Sequence, residues 1–116
     1  MDPKSSPWQS RFELKTCAAA DIATAIPAAK PGIAVIYSKA KGEETIHLVI
    51  DSRAGSLRDL CAKRLETAKL PADAPLTVSY KIIAPADQSP DAVSACCREQ
   101  VIVAGALRRE LRPAMR

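Results

Sequence analysis

The sequence predicts an α+β domain: a small three-stranded, mostly antiparallel central sheet flanked by helices, in the order β-α-β-β-α-β-α. Three observations carry this. Two β-branched runs, 32–37 and 45–51, flank a charged turn containing Gly42. An amphipathic helical pattern follows over 57–68. A third alternating run, 76–83, leads into a long helical pattern over 90–111.

The elements follow in order. Residues 1–10 are polar with two prolines and read as a flexible leader, so the domain is expected to span 11–116. Arg11-Phe12-Glu13-Leu14-Lys15 alternates as a half-buried strand does. Thr16 is placed to cap an Ala-rich helix over 18–26, which Pro27 stops. Gly32-Ile33-Ala34-Val35-Ile36-Tyr37 is apolar on both faces, the pattern of a central strand. Thr45 to Asp51 forms its hairpin partner. Ser56 is an N-cap for the 57–68 helix, whose Leu57, Leu60, Cys61 and Leu65 share one face. Ser89-Pro90-Asp91 starts the last helix: a cap, a proline in the first turn, and an acid at the positive end of the dipole. Its buried stripe is expected at Val93, Cys97, Val101, Ala104, Leu107 and Leu111, with Pro113 closing it.

Composition narrows the function classes. A chain of 116 residues fits one domain and is 47% hydrophobic, enough for a core without staples. Aromatics are 3%, so a recognition surface of stacked rings is not expected. The net charge of +4 is uneven. Residues 108–116 hold four arginines against Glu110, which leaves 13 basic and 12 acidic residues elsewhere. A basic end suits nucleic acid or an acidic partner, and equally the negative end of a helix dipole. Cys17, Cys61, Cys96 and Cys97 form no C-x-x-C pair, and one histidine is too few for the usual zinc sets. They read as small core residues in a reducing compartment. No apolar run reaches the ~20 residues of a membrane helix, so a cytoplasmic protein without membrane contact is expected.

Three places invite a chemical reading. His47 lies within a strand, opposite in facing to Ile46 and Leu48, and nothing local marks it as a triad base. Asp51-Ser52-Arg53-Ala54-Gly55-Ser56 precedes a helix N-terminus as phosphate loops do, yet lacks the lysine and glycine density of a P-loop. Glu99 falls mid-helix between turns expected to be buried. A carboxylate there either binds a cation or faces solvent beside Arg98.

Together these pieces resemble the GIY-YIG nuclease domain over residues 30–116. The resemblance rests on Pro31-Gly32-Ile33 opening a strand, the hairpin, Leu57-Arg58 starting a helix, Arg98-Glu99-Gln100 on a later helix, and Leu111-Arg112-Pro113 near the end. The family cleaves DNA with one divalent metal, using a tyrosine to polarise water, an arginine on the phosphate and a glutamate on the metal. Carried over, Gly32 matches the first motif's glycine, Arg58 lies near the arginine, and Glu99 matches the metal glutamate. Ala34 stands in place of the first tyrosine, and Leu48 to Ser52 supplies neither the tyrosine nor the glycine of the second motif. Tyr37, three residues from Ala34, faces the other side of the strand.

The resemblance therefore implies a degenerate domain that binds nucleic acid, DNA favoured, or a protein partner, without cleavage. Its phosphate contacts would be Arg53, Arg58, Lys63 and Arg64, extended by Arg108, Arg109 and Arg112. The alternatives are an active endonuclease using Arg58 and Glu99 with Mg or Mn, and a pure interaction module, such as a homodimer through the sheet or the Ala-rich helix.

Overall fold

A computed structural model describes residues 7–40, 43–53, 55–67, 75–111 and 113. The elements are α1 (Pro7–Arg11), β1 (Lys15–Ala18), a 3-10 turn (Ala19–Asp21) running into α2 (Ile22–Ala25), β2 (Gly32–Ala40), β3 (Glu43–Asp51), α3 (Leu57–Thr67), β4 (Leu76–Ile82) and α4 (Pro90–Leu111). The α+β class is as expected. The sheet has four strands rather than three, all antiparallel, in the order β1-β4-β2-β3. The extra strand is the N-terminal one, which pairs along β4 from Lys15 opposite Tyr80 to Ala18 opposite Thr77.

Both faces of the sheet are covered, which is why β2 is apolar from Ile33 to Tyr37. Ala34, Ile36, Leu48, Ile50, Val78 and Tyr80 pack under α2 and α3, with Ile22, Ile26, Leu57 and Cys61. Ile33, Val35, Tyr37 and Val49 pack under α1 and α4, with Trp8, Cys96, Ala104 and Leu107. α3 and α4 thus lie on opposite sides of the sheet, and this decides what the candidate residues can do together.

Three expectations at the N-terminus change. The strand expected over 11–15 lies at Lys15–Ala18, and the helix expected over 18–26 is only the short turn and α2. Residues 7–10, expected to be leader, form α1 together with Arg11, and Trp8 is 5% and Gln9 7% exposed. The cause is tertiary. Trp8 stacks edge-on against Tyr37 with ring centroids 5.4 Å apart, and its indole N–H donates to Glu44 at 2.7 Å. Gln9 donates to the Tyr37 hydroxyl and to Ser79, which also bonds Thr16. Local propensity gives no hint of such a long-range network.

The hairpin contains a β-bulge. Ile36 pairs with Leu48 but Tyr37 pairs with Ile46, so His47 is the extra residue. Alternation breaks there. Leu48 joins the α3 face, whereas Ile46 packs on the α4 face. His47 is buried and its Nε2 meets the Ser38 hydroxyl at 2.8 Å, a packed histidine without catalytic company.

Gly32 is fixed by close approach. A Cβ at this position would sit 2.2 Å from the Lys81 carbonyl oxygen, where β2 pairs with β4. The Gly32 N–H donates to the Ser52 hydroxyl and its carbonyl accepts from the Ser52 N–H, tying the start of β2 to the end of β3. Gly32→Ala is expected to lower stability by about 2–3 kcal/mol, the cost of overpacking against rigid backbone, with the shift read in a urea titration.

Candidate nucleic-acid interface

β3 is an edge strand, and its C-terminal end runs into the turn at 51–55 that leads to α3. Arg53 holds the turn in a left-handed conformation, φ 57°. That geometry is unfavourable for a residue with a Cβ, and Gln100 of α4 holds it in place. The Gln100 side-chain amide accepts from the Arg53 N–H at 2.5 Å and donates to the Arg53 carbonyl at 2.7 Å and the Ile83 carbonyl at 3.0 Å. Gln100 is fully buried, which is tolerable because these partners satisfy it. Ser56 caps α3 as expected, accepting from the Asp59 N–H at 3.3 Å.

Around this turn the structure gathers three of the expected phosphate ligands. Arg64 of α3 and Arg108 of α4 reach the β3 edge from opposite faces of the sheet. They line an open groove of about 250 Å³ with Leu48, Val49, Ile50, Asp51 and Leu60. Arg53 stands at its end, pairing with Asp51 at 3.6 Å. Arg108 donates to the Val49 carbonyl at 2.9 Å and to Asp51 at 3.3 Å. The Arg64 Nε–H is buried with no hydrogen-bond partner among the described residues. A buried donor left unpaired costs about 1–3 kcal/mol, so a movement of the Arg64 side chain that gives this N–H an acceptor in the groove would be favoured.

The other expected residues are dispersed. Arg58 points the other way from α3, donating to the Ala23 carbonyl of α2 at 3.3 Å beside Asp59. Lys63 is exposed on α3 and Arg109 on α4, while Arg112 lies outside the described residues. Arg98, exposed on α4, borders a second, apolar groove of about 400 Å³ with Arg53, Cys97, Val101 and Ile102.

Glu99 is exposed, not near the core. Ala104 and Leu107 of α4 are buried as expected, but in the preceding turns Cys96 and Gln100 are buried in place of Cys97 and Val101, one residue out of phase, and Val101 is 46% exposed. The shift turns Glu99 outward and Gln100 inward. Glu99 therefore lies on the helix covering one face of the sheet and Arg58 on the helix covering the other. Ala34 is wholly buried under α3, and Tyr37 points to the α4 side, bonded to Gln9. These residues do not fit a divalent-metal cleavage site. No group of three His, Cys, Asp or Glu among the described residues is placed to hold a metal.

No protein-family profile, curated protein or solved structure matches the chain. No helix among the described residues is long and apolar enough to cross a membrane.

All four cysteines are free thiols. Burial pushes the Cys61 thiol up to about 12, helped by the negative charge Cys17 would carry. The fold thus favours the neutral thiol. Stability is expected to be intact below the ordinary thiol value of 9.0 and to fall as pH rises from there toward about 12, because only the unfolded chain ionises easily in that window. Cys61→Ala should flatten this alkaline limb in a series of denaturant melts.

Proposed function

We propose that this chain is a GIY-YIG-like domain that binds a nucleic-acid backbone, DNA by preference, at the basic end of β3 without cleaving it. The observation that carries the reading is the groove between Arg64 and Arg108, with its unpaired buried Arg64 Nε–H. Two arginines lining one groove at a strand edge suit a phosphate, which can accept from both. A peptide strand adding to the same edge is less well served, because Arg108 already occupies the Val49 carbonyl that such a strand would need. Separation of Arg58 and Glu99 across the sheet supports binding without hydrolysis.

Fluorescence anisotropy of a labelled duplex across a salt series tests the binding. With three arginines contacting phosphates, the plot of log K against log salt is expected to have a slope of about −3. Base sequence should matter little, since phosphate contacts position without specifying. Incubation with supercoiled plasmid and magnesium or manganese should leave it intact. Nicking that Glu99→Ala abolishes would overturn the reading, as would a duplex affinity indifferent to salt.

A further inference from the structure

We infer that the outer face of α4 is the contact surface of a symmetric dimer, formed with a second copy of this chain in antiparallel register. The inference does not rest on nucleic-acid binding. Among the described residues Ile102 and Val101 are the exposed large hydrophobics, at 68% and 46%, and both sit on this one helix. Ile102 stands on the outermost line of α4, directly opposite the Cys96–Gln100–Ala104–Leu107 stripe that faces the sheet. The exposed residues of the same line are Asp91, Arg98 and Arg109, with Gly105 between them.

Gly105 is the informative residue. A glycine in the middle of a helix costs about 1 kcal/mol relative to alanine. Nothing in the single chain calls for it: a Cβ there would meet only the flexible end of Arg109, at 3.6 Å. Ser94 and Ala95, both about two turns toward the N-terminus from Ile102, are small as well. Small side chains on an outward helical face let a second backbone come close.

The occupant follows from charge. α4 runs from Pro90 to Leu111, so a two-fold axis near its midpoint pairs positions whose numbers sum to about 200. Asp91 of one copy then lies against Arg109 of the other, at both ends of the contact. Ala95 meets Gly105, and Ile102 packs on the aliphatic stem of Arg98. The helix dipoles oppose, which favours this direction. A parallel arrangement would set Asp91 against Asp91 and Arg109 against Arg109. The face is complementary to itself in one orientation only. One helix pair is small by the standard of stable interfaces, so association in the micromolar range is expected.

Sedimentation equilibrium of the full chain, from about 5 to about 300 μM, is the test. The wild type is expected to pass from monomer to dimer across the series. Ile102→Asp, at an exposed site, should keep its circular dichroism spectrum and associate at least ~10-fold more weakly. Asp91→Arg and Arg109→Asp should each weaken association, and the D91R/R109D double variant should restore it. A wild type monomeric throughout, an Ile102→Asp variant that dimerises normally, or a double variant no better than the singles would overturn the inference.

Discussion

Replacing Trp8 with alanine is expected to cost about 3–5 kcal/mol of folding stability, the range for emptying a buried aromatic site. That is a large share of the 5–15 kcal/mol typical of a small domain. The size of the effect follows from position. The indole fills the α4 face of the sheet beside Ile33, Val35 and Val49, stacks on Tyr37 and donates to Glu44. Its loss also loosens Gln9, whose amide links Tyr37 to Ser79 at the centre of the sheet. Urea titration followed by circular dichroism measures the loss. Trp8 is also the one tryptophan of the chain, so in the wild type its fluorescence should change in the same transition. A chain beginning at Phe12 should be destabilised at least as much. Were residues 7–10 a true leader, both changes would be near neutral.

Gln100→Leu is expected to cost about 2–3 kcal/mol although leucine is the more apolar side chain. The substitution orphans the backbone groups of Arg53 and one bond to Ile83, and each buried group left unpaired costs about 1–3 kcal/mol. Arg53 lies near the surface and regains water, which keeps the total toward the low end. Location makes the effect diagnostic. With its clamp gone, Arg53 has no reason to stay left-handed, so the 51–55 turn should relax. Hydrogen exchange at the Arg53 amide should speed up more than at β2 amides, and duplex affinity should fall with it. In the same vein Arg53→Gly removes the Cβ strain, and is expected to be neutral or stabilising by up to ~1 kcal/mol.

Much of this fold is legible in the sequence because local and global signals agree. Pro90 and Asp91 start α4, Ser56 caps α3, and the β-branched runs fix β2 and β3. The parts that stay hidden share one property: they depend on residues far apart in the chain. α1 exists because Trp8 and Gln9 find Tyr37 and Ser79. β1 is displaced by several residues because it must register against β4. The bulge at His47 inverts the alternation of β3, and no composition signal announces it.

The candidate site was legible to the same uneven degree. The N-terminal half of α4 offers two adjacent ridges leading into Ala104 and Leu107: Val93–Cys97–Val101 and Cys96–Gln100. Hydrophobicity favours the first, because a glutamine interrupts the second. The fold uses the second, because that glutamine is needed to hold the turn. This choice moved Glu99 out of the expected cleft. A polar residue framed by apolar ones at i±4 was the available clue. Arg64 and Arg108 lie 44 positions apart and meet only because α3 and α4 cover opposite faces of one edge strand; spacing alone would not pair them. Arg58, adjacent to Leu57 in the resemblance, turns instead to α2.

The most direct test of the central claim compares arginines on the two flanks of α3. Duplex binding is measured at low salt for the wild type, for the Arg64→Ala/Arg108→Ala double variant, and for Arg58→Ala. Binding at the β3 edge requires the double variant to lose at least ~10-fold in affinity and to flatten the salt slope by about 2, while Arg58→Ala changes neither beyond ~2-fold. An Arg58→Ala variant that loses as much as the double one, or a double variant that binds like the wild type, would contradict it.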